Sequence, residues 1–79
     1  MTVSAEIRRH LLARCGAAFY RPRWQSEIAR DLNVADRTMR RWVSGAYDVP
    51  ESVYRELQEL CLQRVHLLTE LMDVLRQRE

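Results

Sequence analysis

Residues 25–44, Gln-Ser-Glu-Ile-Ala-Arg-Asp-Leu-Asn-Val-Ala-Asp-Arg-Thr-Met-Arg-Arg-Trp-Val-Ser, constrain the fold of this chain more than any other stretch. Two helices cross closely only where one of them offers a small side chain, and Ala29 stands between the apolar Ile28 and Leu32. The chain must then reverse sharply. Such turns pass through left-handed backbone, which Gly adopts freely and which the short amide of Asn tolerates; Asn33 occupies that point. Val34 follows as an apolar plug for the turn. Further on, Met39, Trp42 and Val43 recur at three- and four-residue spacing as an inward stripe, which leaves Asp36, Arg37, Arg40, Arg41 and Ser44 facing out. The pattern predicts a helix-turn-helix over residues 25–44.

Three of the five outward residues are arginines. A plain amphipathic hairpin needs the periodicity, but not the small Ala, the Asn turn, the buried Val and an Arg-rich outer face together. The combination points to double-stranded DNA, because guanidinium forks match guanine edges and phosphates. Charge is divided along the chain in the same sense. Residues 1–47 hold nine arginines against four acids, a balance of +5, whereas residues 48–79 hold four arginines against seven acids, a balance of −3. One face suited to phosphate and another suited to protein is the expectation.

The flanking segments also read as helix. A first helix is expected from Ser4 or Ala5 to Ala18, capped by Ser4, with Ile7, Leu11, Leu12, Cys15, Ala18 and Phe19 inward and Arg8, Arg9 and Arg14 on solvated faces. Gly16 lowers helix propensity and marks an early end. Tyr20-Arg21-Pro22-Arg23 breaks the chain, since the residue before Pro is driven out of the α region. Arg21 and Arg23 thus flank the start of the next helix, where free amides favour anions, and Gln25 and Ser26 are placed to add phosphate contacts. Trp24 reads as a lid on the core rather than a stacking platform. After Ser44, Gly45 suits a left-handed cap and Pro50 the first turn of another helix; Tyr47 between them is either a phosphate or sugar contact or a packed aromatic.

From Glu51 to Arg76 nothing breaks helix, and a single helix of that length would span roughly 39 Å at 1.5 Å per residue. Seventy-nine residues make one domain, and a core that small contributes only about 3–5 kcal/mol. The apolar positions from residue 65 to 75 lie beyond its reach. Val65, Leu68, Leu71, Met72 and Leu75 are therefore expected to form a homodimer interface, unless a break near Gln63 or His66 folds a fifth helix back onto the domain.

Other function classes find little support. No stretch approaches a membrane span, no signal-peptide pattern opens the chain, and a cytoplasmic location is expected. Cys15 and Cys61 are far apart in sequence and fit no ligand spacing, so they read as reduced core residues. His10 and His66 lack partners for catalysis. No catalytic residue, metal site or cofactor is expected.

From Gln25 to Pro50 the chain resembles the lambda Cro/repressor-like family of helix-turn-helix regulators, through the run Arg37-Thr-Met-Arg-Arg-Trp-Val-Ser-Gly45 and the Pro that opens the following helix. Its short format and the segment from Trp42 to Val53 look like small phage and mobile-element regulators, including anti-CRISPR-associated autorepressors. The resemblance implies a compact all-α domain of about five helices and dimeric operator binding, and it places Gln25 at the family's phosphate-contacting glutamine. Ala35 departs from it, because a capping Ser or Thr is usual there.

The expected function is sequence-specific repression by a homodimer on an inverted repeat. Asp36, Arg37 and Arg40 would contact bases, with Asp36 either accepting from a cytosine amine or capping its helix. Arg21, Arg23, Gln25, Ser26, Arg41, Ser44 and Tyr47 would hold the DNA backbone. The competing reading is an antitoxin-like or adaptor protein that uses its apolar C-terminal helix on another protein.

Overall fold

The computed structural model describes residues 3–78. Four helices follow one another: α1 (Ala5–Tyr20), α2 (Trp24–Asp31), α3 (Asp36–Ser44) and α4 (Glu51–Gln77). The described residues are thus all-α with four helices rather than five. The fifth is missing because α4 runs unbroken through Gln63 and His66. Neither Gly nor Pro interrupts this stretch, and no core lies within reach to reward a bend.

Helix α1 is the hub, packing on α2, α3 and α4. It begins where Ser4 accepts a hydrogen bond from the Ile7 amide at 3.2 Å, and it runs two residues beyond the expected Ala18 to Tyr20. Gly16 does not end it. This residue is buried in the middle of the helix, and a Cβ added there would lie 2.1 Å from Cε3 of Trp24. Glycine is what lets the indole at the start of α2 come close against α1, where Trp24 packs on the margin of the core. The buried stripe of α1 consequently runs through Leu12 and Gly16, while Ile7, at 52% exposure, and Ala18 face solvent, against expectation. Ile7 sits near the helix start, where it lines an open groove with His10, Ala13 and Val43.

The core consists of Leu12, Ile28, Ala29, Leu32, Met39, Trp42, Val49, Val53 and Leu57, with Cys15, Phe19, Trp24, Val34, Val43 and Leu60 packed on its margin. Only the first two turns of α4 reach it. Farther along, the Arg64 guanidinium lies 4.7 Å from the Phe19 ring centroid and 4.9 Å from that of Tyr20, a last clasp between α4 and the end of α1. Arg8, expected on a solvated face, is a partly buried strut instead. Its Nε donates to the Val49 carbonyl at 2.6 Å and its Nη1 to the Val3 carbonyl, tying the loop before α4 to α1.

The cysteines correct another expectation. Cys15 is only half-buried and Cys61 is exposed, and both line one apolar groove between α1 and α4. Burial, reinforced by the neighbouring Cys61, pushes the Cys15 thiol from its ordinary 9.0 up to about 11. Tyr20 is raised as well, first because its hydroxyl donates to Asp31 Oδ2 and then because of burial.

Two outcomes follow from these contacts. In an open helix Gly→Ala gains about 1 kcal/mol of propensity, but Gly16→Ala meets the Trp24 ring and is expected to destabilise by about 1–3 kcal/mol in urea unfolding. A midpoint at or above that of the wild type would contradict the close approach. The second concerns alkaline pH. Folded Cys15 holds its proton more tightly than the unfolded chain does, so its contribution is complete below about pH 9 and is lost as pH rises to about 11. Thermal midpoints should therefore fall across that window, and Cys15→Ala should flatten the fall while leaving the part due to Tyr20. An unchanged slope in the variant would remove Cys15 as the cause.

Candidate nucleic-acid interface

Helix α3 is held by one side only. Met39 is fully buried and Trp42 nearly so, and both belong to the core shared with α1 and α2. The opposite side carries Asp36, Arg37, Arg40, Arg41 and Ser44, all exposed. Nine residues of helix present this face over roughly 13 Å. Arg37 and Arg40, three residues apart, point the same way, and the ion pair formed among the described residues is elsewhere, between Arg30 and Glu27 at 3.1 Å.

The turn that aims α3 has the backbone its residues foretell. Asn33 adopts φ 57°, and Ala29 is completely buried where the two helices cross. The Val34 amide donates to the Ala29 carbonyl at 2.9 Å and the Asn33 amide to the Arg30 carbonyl at 3.1 Å, so two carbonyls of the last turn of α2 are satisfied within the turn. Ala35, extended at φ −70° and ψ 150°, precedes α3 and supplies no side-chain cap. Asp36 stands in the first turn, where its charge favours the positive end of the helix.

At the far end Gly45 takes the left-handed cap at φ 83°, its amide donating to the Trp42 carbonyl at 3.2 Å. Ser44 Oγ donates to the Arg41 carbonyl at 3.1 Å and accepts from the Ala46 amide at 3.3 Å. The Tyr47 amide donates to that same carbonyl at 3.2 Å, and the Arg41 guanidinium lies 5.1 Å from the Tyr47 ring centroid. Arg41, Ser44 and Tyr47 are thereby gathered into one cluster. Tyr47, 56% exposed, is not a core aromatic. Arg9 also belongs to this end: a Cβ on Gly45 would come 2.3 Å from its Nη1.

The start of α2 forms the third part. Gln25 and Ser26 are exposed in its first turn, and Arg23, the residue before the helix, makes no side-chain cap bond. Ser26 shares a concavity of about 350 Å³ with Arg30, Asn33, Val34 and Asp36, which joins the expected backbone contact on α2 to an expected base reader on α3. Arg21 is turned the other way, its Nε donating to the Ala17 carbonyl at 3.2 Å to cap α1. Arg30 is the residue sequence reasoning missed. It lies four positions after Ser26 on the same helical face, and that spacing was the available signal.

Val65, Leu68, Leu71, Met72 and Leu75 are 47–60% exposed on the part of α4 beyond the Arg64 clasp. Among the described residues no group of three His, Cys, Asp or Glu side chains could hold a metal ion, and no helix is long and apolar enough to cross a membrane. No family model, curated protein or solved structure matches this chain.

The uncapped start of α3 gives a direct check on this geometry. Ala35 already has the extended backbone of a capping residue, so Ala35→Ser should supply the missing acceptor and stabilise the protein by about 0.5–2 kcal/mol in urea unfolding. A loss of stability would mean that the α3 amides are not free as described.

Proposed function

We propose that this chain is a sequence-specific, double-stranded DNA-binding regulator, a cytoplasmic homodimeric repressor that inserts α3 into the major groove of each half of an inverted repeat. The observation that carries the reading is the exposed Arg37, Arg40 and Arg41 on a helix anchored solely by its opposite side, directly after a left-handed Asn turn. Arg37 and Arg40 would read bases, most simply as bidentate donors to guanine O6 and N7, and Asp36 would accept from a cytosine amine. Gln25, Ser26, Arg41, Ser44 and Tyr47 would hold the phosphates on either side, with Arg30 added through its shared concavity with Ser26. Arg23 would contribute charge near the start of α2, whereas Arg21, engaged at the end of α1, would not.

The dimer rests on α4. Eight large apolar side chains from Leu62 to Leu75 are each 47–60% exposed, and five of them, Val65, Leu68, Leu71, Met72 and Leu75, share one face of its second half. Two such strips facing each other would bury on the order of 1,200 Å², near the lower end of stable interfaces. A second copy is the favoured occupant because a two-fold operator requires a two-fold protein, with half-sites about 34–36 Å apart. An adaptor that binds a different protein through the same strip is the competing reading, and a monomer in solution would favour it.

Gel-shift titration tests the proposal, using DNA from immediately upstream of the protein's own gene beside a scrambled duplex. Wild-type protein should prefer the native duplex, two chains per site, at moderate salt. Arg40→Ala should cost about 1–3 kcal/mol on that duplex and little on the scrambled one. Leu71→Asp should yield monomers in sedimentation and weaken binding. Equal, salt-sensitive binding of both duplexes by the wild type would leave only a basic surface and overturn the specific reading.

A further inference from the structure

Cys15 and Cys61 stand far apart in the chain, yet α1 and α4 bring them to the same place. Both line an open apolar groove of about 310 Å³, together with Leu11, Tyr54, Leu57 and Gln58. The two are not equivalent. Cys61 is exposed on α4, whereas Cys15 is half-buried on α1, the helix on which the other three pack. Nothing in the proposed DNA interface uses either thiol. The groove opens on the side of α1 that receives α4, and α3 has no residue in its lining.

We propose that Cys15 and Cys61 form a redox-responsive dithiol, oxidised by hydrogen peroxide to an intrachain disulfide that ties α1 to α4. The exposed Cys61 is the thiol a peroxide meets first. Its thiolate sulfur attacks one peroxide oxygen, the O–O bond breaks, and Cys61 becomes a sulfenic acid with release of one water. The Cys15 sulfur then attacks the Cys61 sulfur; the S–O bond breaks, the S–S bond forms, and the departing hydroxyl takes the Cys15 proton and leaves as a second water. Over both steps the dithiol loses two electrons and two protons and the peroxide is reduced to two waters. Burial in the apolar groove, reinforced by the neighbouring Cys61, favours the protonated form of Cys15, so the exposed Cys61 is the thiol oxidised first. A dithiol reductant reverses the bond.

The consequence is structural and does not depend on the DNA reading. Near Cys61, α4 leaves the core, and the Arg64 clasp is the next contact with α1. A covalent tie at this point fixes the angle at which the exposed half of α4 projects, and it closes a long loop of the chain, which limits the unfolded state.

The experiment treats the folded full chain with a small molar excess of hydrogen peroxide, blocks free thiols with an alkylating agent under denaturing conditions, and measures intact mass, non-reducing electrophoretic mobility and thermal midpoint. The expected product has lost two hydrogen masses, takes up no alkylating agent, migrates as a faster single chain and melts several degrees higher, with all four changes reversed by dithiothreitol. Cys61→Ser should abolish the product. Cys15→Ala should instead leave a Cys61 sulfenic acid that a dimedone-type probe captures. A disulfide between two chains, Cys61 overoxidised while Cys15 remains free in the wild type, or two alkylatable thiols after treatment would each overturn the proposal. These readouts use no DNA, so they stand or fall separately from the operator experiments.

Discussion

The contact between Gly16 and Trp24 sets the architecture of this small protein. With no Cβ in the middle of α1, the indole that begins α2 can lie directly on the helix, and a methyl group there would come 2.1 Å from the ring. The position of α2 follows from that contact, and Ala29 and the Asn33 turn then determine where α3 crosses. Because α1 also receives α4, a single helix with one missing side chain organises the other three. Arg8 extends the same role to the loop before α4 by bonding the Val49 carbonyl.

The two surfaces that carry the functional proposals result from what this arrangement leaves uncovered. The core is nearly filled by one side of each helix. Met39 and Trp42 satisfy it from α3, so the arginine side of α3 stays exposed, with Arg41 alone resting on the Tyr47 ring. On α4 the core is satisfied by Leu57, with Leu60 at its margin, and the remaining turns project with their apolar residues bare. A large exposed strip of this kind is uncommon on a chain that works alone. The basic surface and the apolar surface thus lie on different helices, and the first helix connects them.

Much of this was legible in the residues because the relevant constraints are local. Ala29, Asn33, Val34, Met39 and Trp42 each answer a requirement of one turn or one helix, and the backbone meets those requirements as expected. The long α4 was likewise visible as an absence of breakers. What escaped depended on contacts between segments. Gly16 reads in isolation as a weak helix position, and only the arrival of Trp24 explains it. Arg8 looks like any surface arginine until the Val49 carbonyl is brought beside it, and Cys15 and Cys61 become neighbours through helix packing alone. The five-helix expectation came from resemblance and from an alternative break near Gln63 or His66, and the unbroken helix prevailed over both. At the candidate interface the grouping of Arg41, Ser44 and Tyr47 could be anticipated from their closeness in sequence, whereas the diversion of Arg21 to the end of α1 could not.

The central claim is that the arginine face of α3 reads DNA as one half of a symmetric pair. Selection of bound duplexes from a random-sequence library by the wild-type protein tests it most directly, since no operator need be assumed. The account predicts enrichment of an inverted repeat whose half-site centres lie about 34–36 Å apart, one turn of DNA. Retention of duplexes without any enriched sequence would contradict it, reducing the basic face to a non-specific polyanion surface and leaving the apolar half of α4 as the principal binding element.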